Sequence, residues 1–287
     1  MQAAGGGLSD ADRFTIVQQV KQQYLELLGV SNTRDSDGKY VFAGGNGDIQ
    51  PFVDANGGAI YNGDQGRRYL RVSESREMQV TENGLEIFQR VRAGNGTFTT
   101  SANSGNTGTG TIDLGRVIDP TAYNGDQYRI QFNVSGFTRT YDVIDVTTST
   151  TVSSGNAYSD GKVIQFAGVQ VTVSGDPANG DKFDLTQSPN QSVFATIQQA
   201  IGALTSSQTT PAARAQMSSQ LGAALGNLDQ GMESVLAARA KIGAGLSELS
   251  MWSDANSEVD LSLRSQLSAI VDVDYAQAIT LFARQQQ

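Results

Sequence analysis

The chain has 287 residues, enough for one or two domains with substantial cores. Its 20 Lys and Arg stand against 29 Asp and Glu, and the net charge of -9 excludes a surface built to grip phosphate backbones and does not favour an anionic membrane. With no Cys and no His, the Ser-His-Asp and Cys-His nucleophile systems, most zinc sites, thiol redox sites and haem ligation by those residues are also excluded.

The first stretch, Met1 to Gly7, is rich in Gly and Ala. It has neither a basic region nor an apolar run and does not read as a secretory signal peptide. A helix is predicted from about Asp10 to Val30, with Ser9 as N-cap and Asp12 closing a capping-box-like pair. Phe14, Val17, Lys21, Tyr24 and Leu28 fall at alternating three- and four-residue steps, and Ile16, Val20 and Leu27 widen the apolar face. From Lys39 to Val72 the pattern is that of a β-hairpin with an irregular loop. Tyr40-Val41-Phe42 reads as a strand, Gly44 to Asp48 and Tyr61-Asn62-Gly63-Asp64 as turns, and Arg68 to Val72 as a second strand. A short helix is expected around Glu82 to Val91.

Gly94 to Gly110 is almost entirely Gly, Asn, Thr and Ser and reads as a linker or crossing segment. Between Thr111 and Thr186 period-two alternation dominates. Tyr128, Ile130, Phe132 and Val134 alternate with polar residues, as do Val169, Val171 and Val173. Turn signals at Asn124-Gly125, Asp160-Gly161 and Asn179-Gly180 separate the runs, so the segment predicts a small antiparallel β-domain. Ser188-Pro189-Asn190-Gln191 predicts the start of a helix running to about Leu204, and Thr210-Pro211 the start of another.

The last helix carries the strongest periodicity. Leu221, Leu225, Leu228, Met232, Val235, Arg239, Ile242, Leu246 and Leu249 recur at alternating steps of 4 and 3, a heptad repeat. Ser253, Asn256 and Asp260 make a polar patch, after which Leu263, Leu267 and Ile270 resume the same frame. Retained phase favours one nearly continuous helix; about 70 residues would span roughly 100 Å. Such a helix implies a rod whose seam needs partners. The expected fold is therefore α+β and multidomain. A discontinuous helical rod domain, 1–94 and 188–287, carries a β-hairpin and an inserted antiparallel β-domain, 95–187. The expected rod-helix packing residues are Leu221, Leu225, Leu228, Met232, Val235, Ile242, Leu246, Leu249, Leu263, Leu267 and Ile270.

Composition leaves carboxylate-only chemistry, such as glycoside hydrolysis or Mg²⁺ and Ca²⁺ sites. Asp35-Ser36-Asp37-Gly38 hints at a calcium loop, but Thr33 and Gly44 stand where acids are needed, so a turn is preferred. Asp272 and Asp274 are two apart on a helix and point in different directions, which favours helix contact or capping over catalysis. Arg239, on the seam, reads as a snorkelling side chain or one half of an interhelical ion pair. Tyr123, Tyr128, Tyr141 and Tyr158 would form a sugar platform if exposed; core positions are preferred. The expectation is a non-enzyme with no catalytic, cofactor or metal site, no nucleic-acid partner and no membrane span, since no run of 18 apolar residues occurs. The absence of cysteine means that no disulfide holds the fold, which suits a cytosolic protein or export by a route that avoids oxidising compartments.

The segment Ser31-Asn32-Thr33-Arg34-Asp35-Ser36-Asp37-Gly38-Lys39-Tyr40-Val41-Phe42-Ala43-Gly44, with Gln50-Pro51-Phe52 and Tyr61-Asn62-Gly63-Asp64, resembles the flagellar hook-associated protein 3 family, found at the hook–filament junction. Gly180 to Phe183 and Asn190 to Phe194 fit as well. Ala238 to Ala244 and Val271 to Ala276 are similar to the flagellin-type C-terminal rod helix. The resemblance covers nearly the whole chain in order, except for helical segments that the family carries before the position of Met1 and after that of Gln287. It implies a flagellin-like rod fold and a structural adaptor joining hook to filament through rod-helix packing. The implied partners are hook-associated protein 1, flagellin, copies of the chain itself and an export chaperone for the full-length protein. The implied location is the extracellular flagellum, reached by the flagellar type III route without a cleaved signal peptide. Two alternatives stay open: a filament flagellin, or a carbohydrate-binding or adhesive module carried by the β-domain.

Overall fold

The first helix, α1 (Asp10–Ser31), begins as its sequence dictates. The Ser9 hydroxyl accepts from the Asp12 N–H at 3.2 Å while the Asp12 carboxylate accepts from the Ser9 N–H at 3.2 Å, closing the capping box. The structure, a computed structural model, describes residues 9–73, 76–79, 81–271 and 275–286. Two short strand pairs follow α1: β1 (Phe52–Ala55) with β2 (Gly58–Tyr61), and β3 (Tyr69–Ser73) with β4 (Arg76–Gln79). Next come α2 (Gly84–Phe88), β5 (Val91–Arg92), β6 (Phe98–Ala102), β7 (Thr111–Ile112) and β8 (Arg116–Val117). The long strands are β9 (Tyr128–Ser135), β10 (Thr138–Asp145), β11 (Thr150–Ala157), β12 (Lys162–Phe166), β13 (Val169–Ser174) and β14 (Lys182–Gln187). The chain closes with β15 (Asn190–Gln191), α3 (Val193–Thr205), α4 (Pro211–Val271) and α5 (Tyr275–Gln285). The α+β class expected from the sequence holds, with antiparallel sheets and a long C-terminal helix.

The chain divides into two units. One holds the described residues up to Leu70 together with Gln79–Ala238; the other holds Arg71–Met78 with the described residues from Arg239 onward. In the first, β11-β10-β9-β14-β6 form one antiparallel sheet, and β12-β13-β7, with β8 also on β13, form a second. Their inward residues make one core containing Phe98, Ile130, Phe132, Val143, Ile164, Val171 and Phe183. Two further clusters lie among the helices. Val17, Ile201, Leu204, Met217 and Leu221 form one, and Tyr24, Phe52, Ile87, Phe88 and Phe194 the other.

Several local expectations change. Tyr40 to Phe42 is not a strand; it is a turn held by isolated bridges, Arg34 to Tyr40 and Ala43 to Asn83. The expected hairpin of residues 40–42 with residues 68–72 does not form: β3 pairs with β4 instead, and β1 and β2 make a separate hairpin turned at Asn56-Gly57, with Gly57 at a φ of 88°. Gly94 to Gly110 is not a plain linker, because β6 lies inside it and pairs with β14 from Phe98↔Gln187 to Ala102↔Phe183. The helix expected at Ser188 starts at Val193 instead, capped by Ser192, since Asn190 and Gln191 pair with Arg92 and Val91. Phe14, placed on the apolar face of α1, is 65% exposed.

Tyr24 donates to Asp54 Oδ1 at 2.6 Å. Burial, then the hydrogen bond and the charge of Asp54, push its pKa up to about 12. Burial, then nearby carboxylates, do the same for Tyr61 and Tyr158, each at about 12. A pKa raised in the folded state stabilises the fold fully below the ordinary value of 10.0 and loses that contribution as the pH rises towards 12. Alkaline unfolding is therefore expected between those values, with these three tyrosines ionising late. A tyrosinate absorbance titration of the native chain that coincides with that of the urea-unfolded chain would refute this.

Candidate functional site, the uncovered face of the long helix

Helix α4 begins at Pro211, whose missing N–H costs nothing in a first turn, and Thr210 Oγ1 accepts from Ala213 N–H at 3.1 Å. Within the first unit its inward residues are small. Ala224 is buried, a Cβ on Gly231 would meet Val193 Cγ2 at 2.9 Å, and Ala238 packs on the cluster around Phe52 and Phe88. A Cβ on Gly226 would lie 2.3 Å from Leu114 Cδ1. Polar side chains between these residues fasten the helix to the backbone beside it. Gly94 N–H donates to Asn227 Oδ1 at 2.6 Å, Asn227 Nδ2 donates to Gln191 Oε1 at 3.0 Å, and Ser234 Oγ donates to the Ile87 carbonyl at 3.1 Å.

In the second unit the covered residues keep the same seven-residue spacing. Met78 Cε lies 3.3 Å from where a Cβ on Gly245 would sit. Arg76 pairs with Glu248 at 2.6 Å and places its guanidinium 4.9 Å from the ring centroid of Trp252. The line used by the chain itself is thus Met217, Ala224, Gly231, Ala238, Gly245 and Trp252.

The leucine-rich heptad follows a different line. At 3.6 residues per turn its Leu225–Met232–Leu246 line is rotated from the covered line by about 100°, one residue's turn, and its Leu221–Leu228–Val235 line, four residues on, by about 40°. Leu221 is buried in the α1–α3–α4 cluster and Leu228 is half-buried. Leu225, Met232, Val235, Ile242, Leu246 (59%) and Leu249 are exposed. So are Leu263, Leu267 and Ile270, the last at 81%. Arg239 and Asp260, on the same seam, are also exposed. Sequence reasoning found this seam and missed the covered line, because a periodicity of large apolar residues does not register a stripe of Ala and Gly. Asp272 and Asp274 lie outside the described residues.

The other candidates are absorbed into structure. Asp35 Oδ1 accepts from the Asp37 and Lys39 N–H groups at 3.0 and 2.9 Å, and Asp35 Oδ2 pairs with Arg68 at 2.7 Å. These contacts, the first being the Lys39 backbone, hold its carboxyl below the usual range. The four tyrosines form no sugar platform: Tyr128 and Tyr141 are buried in the β-core, and Tyr123 and Tyr158 pack against it. A cleft of about 800 Å³ lies between β6 to β8 and the first turns of α4. Its lining has one acid, Asp113, which accepts from the Gly115 and Thr172 N–H groups at 3.1 and 2.8 Å, so the paired carboxylates of a glycosidase are not assembled in it. Among the described residues no cluster of three or more acids is placed to hold a metal ion, and no helix is long and apolar enough to cross a membrane.

No protein-family model matches the chain. Over 89 residues it is 32% identical to flagellar hook-associated protein 3 of Salmonella typhimurium (strain LT2), a stretch covering 31% of this chain and 27% of that protein. The match therefore spans about a quarter of the curated relative. Solved structures extend the likeness. FlgL of Xanthomonas campestris superposes with a TM-score of 0.84 at 34% identity, over 93% of this chain and 85% of that one. A flagellar hook-associated protein 3 from Legionella pneumophila superposes with a TM-score of 0.84 at 28% identity, over 93% and 84% of the two chains.

Proposed function

Because the chain belongs to the flagellar hook-associated protein 3 (FlgL) family, we propose that it is a structural adaptor subunit joining flagellar hook to filament and assembling through α4 with neighbouring axial subunits. The observation that carries this reading is the uncovered leucine seam. Apolar side chains stay exposed along it from Leu225 to Leu249 and again from Leu263 to Ile270, broken by Arg239 and by Ser253, Asn256 and Asp260, and their heptad spacing calls for a helical partner. Leu225, Met232, Val235, Ile242, Leu246, Leu249, Leu263, Leu267 and Ile270 are the proposed line of contact with neighbours, while Leu221 and part of Leu228 pack inside the chain. The partners are hook-associated protein 1, flagellin and copies of the chain, with an export chaperone before assembly. The site of action is the extracellular flagellum, reached by the flagellar type III route. The work is mechanical: burial of each such side chain contributes about 1.5–3 kcal/mol, which an assembly repeats along its length.

The test separates assembly from folding. Leu246→Asp with Leu267→Asp changes two exposed residues, so the helical circular dichroism and melting of the chain should stay as they are. In cells lacking hook-associated protein 3, the full-length parent is expected to restore filament attachment and the same parent carrying both substitutions to fail. Full attachment by a stably produced double variant would remove the seam from the mechanism.

A further inference from the structure

We infer that Asn56-Gly57, at the turn between β1 and β2, is a self-modifying site, where the folded chain converts Asn56 to aspartate and isoaspartate through a succinimide. An asparagine followed by glycine is open to this reaction because no Cβ shields the attacking nitrogen. The chain has seven such pairs, at Asn46, Asn56, Asn62, Asn83, Asn95, Asn124 and Asn179, and the fold separates them. The Gly57 nitrogen attacks the side-chain carbonyl carbon of Asn56. The N–Cγ bond forms, the Cγ–Nδ2 bond breaks, and the proton of the Gly57 N–H leaves with Nδ2 as ammonia. Water then opens the ring at either carbonyl, giving aspartate, or isoaspartate with the main chain routed through Cγ. Nothing is oxidised or reduced, and each event adds one negative charge. The reaction needs a side-chain amide that can turn and a following N–H free to approach it.

Among the described residues, neither the Asn56 amide nor the Gly57 N–H has a hydrogen-bond partner. Both residues are exposed, and no atom lies within 4 Å of where a Cβ on Gly57 would sit. The other pairs are held or hemmed in. Ala178-Asn179-Gly180 repeats the tripeptide Ala55-Asn56-Gly57, yet Asn179 Oδ1 accepts from the Val134 N–H at 3.0 Å and the Gly180 N–H donates to the Phe132 carbonyl at 2.9 Å. Asn83 Oδ1 accepts from the Leu85 N–H at 2.9 Å, while the Gly84 N–H donates to the Phe42 carbonyl at 3.1 Å. Asn95 and Asn124 each use both ends of the side-chain amide. Asn46 Oδ1 accepts from the Asp48 N–H at 3.3 Å, and a Cβ on Gly47 would lie 2.8 Å from Lys39 Cβ. Asn62 is the nearest rival, but a Cβ on Gly63 would lie 2.5 Å from Tyr61 Oη and 2.8 Å from the Ala43 carbonyl oxygen. The product matters because the turn has no slack. Isoaspartate adds a methylene to the main chain beside Gly58, where a Cβ would lie 2.9 Å from the nitrogen of Ala195 in the first turn of α3. The conversion therefore loosens β2 from α3, and since it needs no enzyme it records elapsed time.

Purified chain is held in warm, mildly alkaline buffer, either folded or in urea. Fragmentation mass spectrometry locates the acid formed at each asparagine and tells aspartate from isoaspartate. In the folded chain Asn56 is expected to react on the order of tenfold faster than Asn179, the rate equivalent of one or two hydrogen bonds that need not be broken first. In urea the two should react alike, since their tripeptides are the same. The isoaspartate-rich product, separated from the parent by its added charge, is expected to melt below Asn56→Asp, which has that charge on an unaltered main chain. Any of the other six asparagines matching Asn56 in the folded chain would overturn the assignment. A preference for Asn56 that persists in urea would remove the fold as its cause. Equal melting of the two acidic forms would overturn the loosening of β2.

Discussion

Replacing Phe52 with alanine is expected to destabilise the first unit by about 3–5 kcal/mol and to lower its melting temperature by on the order of 10 °C. The ring is fully buried at the meeting point of three elements. It lies 5.4 Å from the ring of Phe88 in an edge-to-face contact, 5.1 Å from Tyr61 and 5.2 Å from Phe194. These rings come from α2, β2 and α3 and cannot close together over the gap, because each is held by its own element. The Phe52 N–H also donates to Asn32 Oδ1 at 2.9 Å, just beyond the last turn of α1, so the backbone under the missing ring stays in place and keeps the cavity open. Val53, the next residue of the same strand, is exposed and supplies the control, with Val53→Ala expected within about 0.5 kcal/mol of the parent. Equal melting temperatures for Phe52→Ala and Val53→Ala would show that the aromatic cluster is not a core.

A comparable loss is expected from Asp181→Ala, by a different route. The Asp181 side chain is buried and accepts three backbone hydrogen bonds, from Thr107 at 2.9 Å, Gly108 at 3.1 Å and Ala178 at 2.8 Å. This one carboxylate anchors the stretch between β6 and β7 to the turn before β14. The approach is so close that a Cβ on Gly108 would lie 2.6 Å from Asp181 Oδ2 and 2.3 Å from the Ala178 nitrogen, which accounts for the glycine. Alanine leaves three donors without their acceptor, at about 1–3 kcal/mol for each that water does not reach, so a fall of about 3–5 kcal/mol in urea unfolding is expected. Fast amide exchange at Thr107 and Gly108 should accompany it. Unchanged protection at both amides in the variant would mean that the carboxylate is not what holds the crossing.

Much of the fold was legible because its signals are local. The capping box at Ser9 and Asp12, the alternation in β9 and β13 and the heptad of α4 each state their structure within a few residues. The misses have a common cause in long-range pairing. Phe98 to Ala102 is Thr- and Ser-rich and looks like its Gly- and Asn-rich surroundings until β14 supplies its ladder. Asn190 and Gln191 have a good helix-start context, which their pairing with β5 overrides. The β1–β2 hairpin had its signal in Asn56-Gly57, but strands of four residues are too short for alternation to stand out. On α4, the leucines marked the uncovered seam, and the covered line is written in residues that sequence reading takes for filler.

The chain leaves α2 through β5 and β6 and comes back through β14 and β15. The outgoing and returning segments lie side by side, with Val91 opposite Gln191 and Phe98 opposite Gln187. This neck fastens everything between its two strands as a closed loop, and the entropy of closing a loop rises by only about 0.6 kcal/mol for each doubling of its length. Except where it touches α4, at Leu114 against Gly226 and at the Ser104 and Asn106 carbonyls that accept from Gln216, the stretch beyond the neck can grow, shrink or be exchanged over evolutionary time at little entropic cost, and size variation among homologues should concentrate there.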